Sequence, residues 1–336
     1  MLANNAFGID LGTRTIKIYS AHSDTVTVEK NMIAIENKKN LFAYGDSAFE
    51  MFEKAPSNIE ISYPLCNGVI ADIKNMQLLL RNFIMDCNKG VIKPAEFYMA
   101  VPSDITDVEK RAFFDLVKDA NIKAKKIMRV EKAVADGLGL DIDVKNAQGI
   151  LVANVGFHTT EISILSLGGI VLSKLIKIGG QKFDESIKNA IRKEYSLIVG
   201  NKTAESVKIS LKELEEAGKG AIVYGRDIVT GLPMEKEIPT DLVSESMLEN
   251  FNVIIDNIRV ILERTPPELS ADIFRRGIYL TGGASQVNHL AELLAKGTGL
   301  KVNVSENPVS GVALGLAKII KDDNYKSVAY LEGMSR

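Results

Sequence analysis

Short apolar runs alternate with stretches of helical period along the whole chain, the pattern of an α/β protein rather than an all-helical or all-strand one. Phe7 to Leu11 reads as a buried strand, Thr15 to Ser20 alternates with Ile16 and Ile18 on one side, and Thr25 to Val28 reads as a third strand. Only Gly12-Thr13-Arg14 separates the first two, so they pair as a hairpin. Residues 104–120 predict a helix: Thr106 and Glu109 form a capping box, and Val108, Ala112, Leu116 and Ala120 recur at four-residue spacing. Residues 182–195 (Phe183, Ile187, Ile191, Tyr195) and 204–217 (Val207, Leu211, Leu214) follow the same period. A longer helix runs through Phe251, Ile254, Ile258, Ile261 and Leu262 until Pro266-Pro267 stops it. There is no low-complexity stretch and no long linker. At roughly 100–200 residues per domain the chain predicts two domains or one two-lobed one, with crossings near 140–150 and 305–315.

One pattern occurs twice. Gly8-Ile9-Asp10-Leu11-Gly12-Thr13 returns 144 residues later as Ala153-Asn154-Val155-Gly156-Phe157-His158-Thr159. Each is an apolar strand, an acidic or amide residue, an apolar residue, a glycine and a Thr-bearing turn, and each leads into an alternating strand, Thr15 to Ser20 and Glu161 to Leu167. This predicts two similarly built halves. A turn of this kind presents successive backbone N–H groups and a hydroxyl, an anion-binding concavity. Two of them facing across a cleft would clamp a polyphosphate, and Asp10 at the strand end is suited to the water shell of Mg²⁺. There is no GxxxxGK[ST], and Gly137-x-Gly139 lacks the third glycine and the strand-to-helix setting of a dinucleotide fingerprint. A third piece, Ile278-Tyr279-Leu280-Thr281-Gly282-Gly283-Ala284-Ser285, reads as a strand passing through glycines into a helix near Ser285. Its glycines let a flat group such as adenine or ribose approach the backbone.

Composition narrows the partners. Lys plus Arg is 41 and Asp plus Glu 43, a net charge of −2, which is no footprint for nucleic acid. Two cysteines, Cys66 and Cys87, and three histidines exclude a disulfide framework and a multi-histidine metal site. No run approaches the ~18 apolar residues of a membrane span, and MLANNAFGID has no signal-peptide character. A reducing, cytoplasmic setting is expected.

In this order, GIDLGT, a second hairpin ending Thr-Thr-Glu, and LTGG resemble the actin, sugar-kinase and heat-shock chaperone ATPase superfamily. Within it the chain is similar to the bacterial actins MreB and Mbl, through NGVIAD at 67–72, VPSDITDVEKRA at 101–112, ILSLGGIV at 164–171, GGQKFDESI at 179–187, GRDIVTGLP at 225–233, RTPPELSADI at 264–273 and NPVSGVALG at 307–315. The resemblance implies an α/β, two-lobed actin-like fold with duplicated mixed-sheet, ribonuclease H-like cores and two smaller inserted subdomains. Lobe I is expected over 1–142 plus 310–336 (small subdomain about 31–69) and lobe II over 143–309 (small subdomain about 181–249), with ATP or ADP and Mg²⁺ in the cleft between them. Carried over by position, Asp10 (to the metal, through water), Gly12, Thr13, Arg14 and Thr15 belong to the first phosphate hairpin, and Gly156, Phe157, His158 and Thr159 to the second. Glu205 and Lys208 match the helix that touches ribose and adenine; Gly282, Gly283, Ala284 and Ser285 match the adenosine ledge. Glu131, with Thr159, matches the groups that orient the attacking water.

The chain departs from that pattern at identifiable places. Arg14-Thr15 replaces Ala-Asn, and Lys132 replaces the Pro that follows the glutamate. Against Asp-x-Gly-Gly-Gly-Thr, the second hairpin has Asn154 for the carboxylate and Phe157-His158 for two glycines. If either glycine position needs positive φ, a side chain there costs ~1–2 kcal/mol. The expectation is a loop that has drifted and at most a weak ATPase. The resemblance further implies protofilaments of the protein with itself and with other bacterial actins, at the inner face of the cell membrane, organising cell shape with the cell-wall synthesis machinery. Met1 to Ala6 is too short and polar for an amphipathic anchor, which leaves Val91 and Ile92, flanked by Lys89 and Lys93 in the 88–94 loop, as the membrane candidate. The alternatives are a non-polymerising regulator of another bacterial actin and a small-molecule kinase of the same superfamily.

Overall fold

A computed structural model describes residues 5–331. The first four residues of the Met1–Ala6 segment, and the ends of the 1–142 and 310–336 ranges, lie outside the described residues. The chain opens with β1 (Ala6–Leu11), β2 (Thr15–Ser20) and β3 (Thr25–Lys30). A small sheet follows, β4 (Ile33–Glu36), β5 (Asn40–Tyr44) and β6 (Ile59–Ser62), with α1 (Gly45–Met51) between the last two, and then the short hairpin β7 (Leu65–Cys66) and β8 (Val69–Ile70). Helices and parallel strands alternate next: α2 (Ile73–Cys87), β9 (Ala95–Val101), α3 (Asp107–Asp119), β10 (Ala124–Glu131) and α4 (Lys132–Gly139). The second half repeats this with β11 (Ile150–Val155), β12 (Thr160–Ser166) and β13 (Gly169–Ile176). Its insertion comprises α5 (Gly180–Tyr195), β14 (Leu197–Ile198), α6 (Asn201–Ala217), β15 (Ala221–Asp227), β16 (Pro233–Ile238), α7 (Thr240–Glu263) and α8 (Pro267–Arg276). Last come β17 (Ile278–Thr281), a 3₁₀ turn over Gly283–Gln286, α9 (Leu290–Thr298), β18 (Val302–Val304), α10 (Gly311–Lys321) and β19 (Ala329–Leu331).

The two large sheets have one topology. Their strand orders are β3-β2-β1-β9-β10-β19 and β13-β12-β11-β17-β18. In each, three antiparallel strands lead and two parallel strands follow on the far side of the first. The duplicated mixed-sheet, actin-like α/β fold implied by the sequence is the fold observed. In β1 all six residues are buried, as a central strand covered on both faces requires. Asp10 and Asn154 fall near the carboxyl ends of the equivalent strands β1 and β11, where ligands of open α/β sheets bind.

Helices α4 and α10 cross between the sheets. Val134, Leu138, Val312 and Leu316 join Val130 of the first sheet and Val152 of the second in one apolar cluster. The crossing is tight enough for backbones to touch: a Cβ on Gly315 would lie 1.7 Å from the Ala135 carbonyl oxygen, and one on Gly139 would lie 1.9 Å from that of Gly311. This fixes the start of α4, and with it Lys132, against the strand ends.

Two local expectations change. The capping box at Thr106 and Glu109 forms, but the buried face of α3 is Phe113, Leu116, Val117 and the C-cap Ala120. Val108 is 81% exposed, because the helix packs through its second half. After Thr281 the chain makes a 3₁₀ turn rather than an α-helix near Ser285, and α9 begins only at Leu290.

Candidate functional site

The two sequence-matched turns face one cavity of about 550 Å³. They are built alike. A Cβ on Gly12 would meet the Thr15 carbonyl oxygen at 2.7 Å, and one on Gly156 would meet that of Thr159 at 2.9 Å, so each turn folds back over the residue three further on. None of Gly12, Gly156, Phe157 and His158 takes a positive φ. The backbone strain expected of side chains in the second turn is therefore not incurred. The third piece does need its glycine. Gly282 has φ +90°, and a Cβ there would lie 2.4 Å from the Val155 carbonyl oxygen and 2.6 Å from Asn154 Oδ1.

Asp10, Gly12, Thr13, Arg14, Thr15, Gly156, Phe157, Thr159, Glu205, Lys208, Gly282, Gly283 and Ala284 all line the cavity. Three other sequence candidates do not. Ser285 is buried beneath the 3₁₀ turn. Glu131 accepts hydrogen bonds from Ser103 Oγ at 2.7 Å and from the Tyr330 hydroxyl, which hold its carboxylate against lobe I strands. His158 turns toward the β7–β8 hairpin, where its Nδ1 accepts the Asn67 amide N–H at 3.2 Å. That bond leaves the ring proton on Nε2, and burial pushes the imidazole below its ordinary pKa, so the ring is neutral.

The second turn is packed rather than drifted. Phe157 stacks on His158 with ring centroids 5.0 Å apart, and both lie against Tyr63. Arg14 comes across from the first turn, its guanidinium 4.3 Å from the Phe49 ring centre and 5.0 Å from that of Phe157. It also donates to the Tyr63 hydroxyl and to Glu205 on α6. Phe49 of α1, Tyr63 just after β6, both turns and α6 thus form one clasp at the cleft mouth. Lys208 is tied to Asp184 at 2.7 Å and to the Gly180 carbonyl at 3.2 Å.

At the floor lie groups that sequence reasoning missed or read only as departures. Lys17 Nζ sits 3.1 Å from Asp10 Oδ2, and Lys132 Nζ sits 3.1 Å from Asp10 Oδ1. Burial alone would raise the Asp10 carboxyl, but the two ammonium groups overwhelm it and hold the pKa at about 2. Burial works against the Lys132 charge too, and Asp10 with Glu161 outweighs it in the upward direction. Asn154 Nδ2 donates to Asp136 Oδ2 at 2.6 Å, and Thr281 Oγ1 donates to Oδ1 at 3.3 Å. Asp136, on α4, is pushed up to about 6 by burial; Glu161, which accepts the Ser103 N–H at 3.1 Å, is pushed up to about 7 for the same reason. The signals were charges where apolar residues belong: Lys17 inside a covered strand, Lys132 and Asp136 in a short buried helix.

The residues present do not fit a hydrated Mg²⁺ at Asp10. Both carboxylate oxygens face ammonium groups, Oδ1 without a hydrogen-bond donor, and the Nδ2 of Asn154 is committed to Asp136. Among the described residues, no group of three or more His, Cys, Asp or Glu could hold a metal ion. The charge of Asp10 is engaged by Lys17 and Lys132.

Residues 4–327 match the family model described as MreB/Mbl protein. The chain is 36% identical over 312 residues to the cell shape-determining protein Mbl of Bacillus subtilis, covering 92% of this chain and 93% of the relative. It is 33% identical over 330 residues to the cell shape-determining protein MreB of Escherichia coli, covering 95% and 94%. Crystal structures of MreB5 of Spiroplasma citri bound to ADP and to AMPPNP align with TM-scores of 0.88 and 0.89, at 32% and 31% identity, over 97% and 98% of this chain and 98% and 99% of theirs. The MamK double helical filament, at 21% identity and a TM-score of 0.77 over 95% of this chain and 99% of that one, shares the fold. By sequence over nearly its whole length, and by a fold whose paired turns face one cleft, the chain belongs to the MreB/Mbl family.

Proposed function

We propose that this protein is a filament-forming bacterial actin that binds ATP or ADP in the cleft and acts in cell-shape determination and cell-wall synthesis. The observation that carries this reading is the single cavity of about 550 Å³ faced by both turns and by the Gly282–Ala284 ledge. Relatives of the same fold bind ADP and AMPPNP, and the named relatives determine cell shape. In this reading the turns hold the phosphates, the glycine ledge holds the adenosine, and the lobe boundaries follow the ranges given by the sequence. Hydrolysis is slow, because Asn154 supplies no charge and Glu131 is held by Ser103 and Tyr330.

Self-assembly is supported by an apolar row on the inserted three-stranded sheet. Ile198 on β14 and Ile222 and Tyr224 on β15 are 39%, 63% and 68% exposed, and β15 alternates its two with buried Val223. Peripheral membrane contact is supported by Val91, 55% exposed in the 88–94 loop, with Ile92 half-buried beside it. Asn5 donates to the Pro94 carbonyl, so the residue leading into β1 lies beside that loop. No described helix is long and apolar enough to cross a membrane.

Sedimentation and electron microscopy of the purified protein with ATP, AMPPNP, ADP and no nucleotide test the proposal, with phosphate release followed in parallel. Filaments are expected with ATP and AMPPNP alike, with little phosphate released. A protein that binds nucleotide and stays monomeric in every state, lipid included, is a regulator rather than a filament former. One that assembles and releases phosphate stoichiometrically overturns the slow-hydrolysis part.

A further inference from the structure

We infer that the ammonium groups of Lys17 and Lys132 take the place of a divalent cation in this cleft, so that a nucleoside di- or triphosphate binds here without Mg²⁺. The inference rests on the reading of the cleft as a nucleotide site. A polyphosphate needs positive charge beside its oxygens, and Mg²⁺ supplies it only with near-octahedral oxygen geometry and retained waters. Lysine supplies it as a point charge with three rotatable donors.

Both lysines line the cavity, on either side of Asp10. Lys17 Nζ would lie 2.9 Å from a Cβ on Gly12, so it is tucked directly beneath the first turn. One ammonium would suffice to neutralise Asp10. Two leave one ammonium beyond what Asp10 itself requires, shared with the fields of Glu161 and Asp136, and Asn154 adds no further negative charge. The other carboxylates nearby accept from neutral donors, Asp136 from Asn154 and Thr281 and Glu161 from the Ser103 amide, and burial raises both, so each carries less charge near neutral pH than an exposed carboxylate.

Asp10 and Glu161, not the helix, hold the Lys132 charge in place. Lys132 is the first residue of α4, where a cation opposes the helix dipole. The side chain is only 18% exposed, so its charge is carried at a desolvation cost. Its position makes sense if an anion joins it.

Isothermal titration calorimetry of the full chain with ATP and with AMPPNP, in EDTA and in excess Mg²⁺, tests this. The dissociation constants in the two media are expected to agree within about threefold. Lys132→Met is expected to weaken binding in EDTA by about tenfold or more, as the loss of a charged hydrogen-bond donor implies, and Lys132→Arg is expected to keep most of it. Circular dichroism melts check that each variant folds, and the wild-type comparison of EDTA with Mg²⁺ needs no variant. Binding that appears only with Mg²⁺ overturns the inference and leaves the nucleotide reading intact. Absence of binding in both media overturns both. Wild-type affinity in folded Lys132→Met shows that Lys132 does not serve the phosphates, and overturns the inference as stated.

Discussion

Arg14→Ala is expected to open the cleft mouth without unfolding either half. Arg14 leaves the first turn, donates to Tyr63 and Glu205, and lies over the rings of Phe49 and Phe157. A desolvated cation–π contact contributes about 0.5–2 kcal/mol, and a hydrogen bond to a charged group about 1.5–3 kcal/mol. The Glu205 side chain is 23% exposed and the Arg14 side chain 15%, so water compensates part of what is lost. A net loss of roughly 2–4 kcal/mol follows, which shifts the open-to-closed ratio by about 30- to 1,000-fold at ~1.4 kcal/mol per decade. The contacts join elements of the two halves, so the loss falls on the clasp and not on either core. Amide hydrogen exchange reads this directly: faster exchange is expected in the 63–68, 156–159 and 200–206 segments, with β1, β9 and β11 unchanged. Arg14→Lys keeps the charge but loses the fork and the stacking plane, and is expected to recover only part of the protection. Wild-type exchange in Arg14→Ala would refute the clasp, and a uniform rise across both sheets would show that Arg14 supports the global fold instead.

Gly315→Ala is expected to destabilise the protein by more than about 3 kcal/mol, because its Cβ would fall 1.7 Å from the Ala135 carbonyl oxygen and must separate α10 from α4; a urea titration with no change in midpoint would refute the backbone contact. Asp136 is raised by burial to about 6, so the native state holds a proton that the unfolded chain has released, and stability falls as pH rises from about 4 through 6. Asp136→Asn is expected to remove that fall and to be the more stable protein at pH 7, by at most about 3 kcal/mol; melting temperatures from pH 4 to 8 that run parallel in the two proteins would refute it. Replacing Val91 and Ile92 together by Ser is expected to abolish co-pelleting with anionic liposomes while leaving the melt unchanged. Each aliphatic contributes at most ~1.5–3 kcal/mol on full burial, so the wild-type filament binds by multivalency.

The sequence was most legible where structure is local or periodic. The covered strands β1 and β11, the hairpin turns and the α3 capping box all lie within a few residues of their own signals. The repeat of the first turn at Asn154 announced the duplicated sheets before any pairing was known. What stayed hidden depends on contacts between distant positions. Lys132 reads only as a replaced proline until α4 brings it onto Asp10, 122 residues earlier. Phe157 and His158 read as damage to a glycine turn because their partners, Arg14, Tyr63 and Asn67, belong to the other half. For α3, spacing alone admitted two faces. Tertiary packing chose the one carrying Phe113 and Val117 and left Val108 in solvent.

These departures from the family pattern are coupled in space, and that bears on how the cleft is to be understood. Asp136 alone would be a buried carboxylate with few partners, a costly state; Asn154 supplies the amide donor that makes it tolerable. Lys132 alone would be a desolvated cation at a helix start; Asp10 supplies its counter-charge. Arg14 alone would place a guanidinium at the mouth of a cleft with nothing to lie on; Phe157 and Glu205 supply a ring face and a carboxylate. A turn decaying by chance would accumulate changes without partners, and buried polar groups without partners cost about 1–3 kcal/mol each. Here the changed polar residues Arg14, Lys132, Asn154 and His158 each meet a partner within hydrogen-bond or ring-stacking distance, although Arg14 Nε and His158 Nε2 stay buried without one. The carboxylate absent at position 154 stands instead at 136, one strand-to-helix step away, and positive charge enters the floor on Lys17 and Lys132. On the inference drawn above, the cleft is rewired for anions rather than degraded from a metal-dependent site.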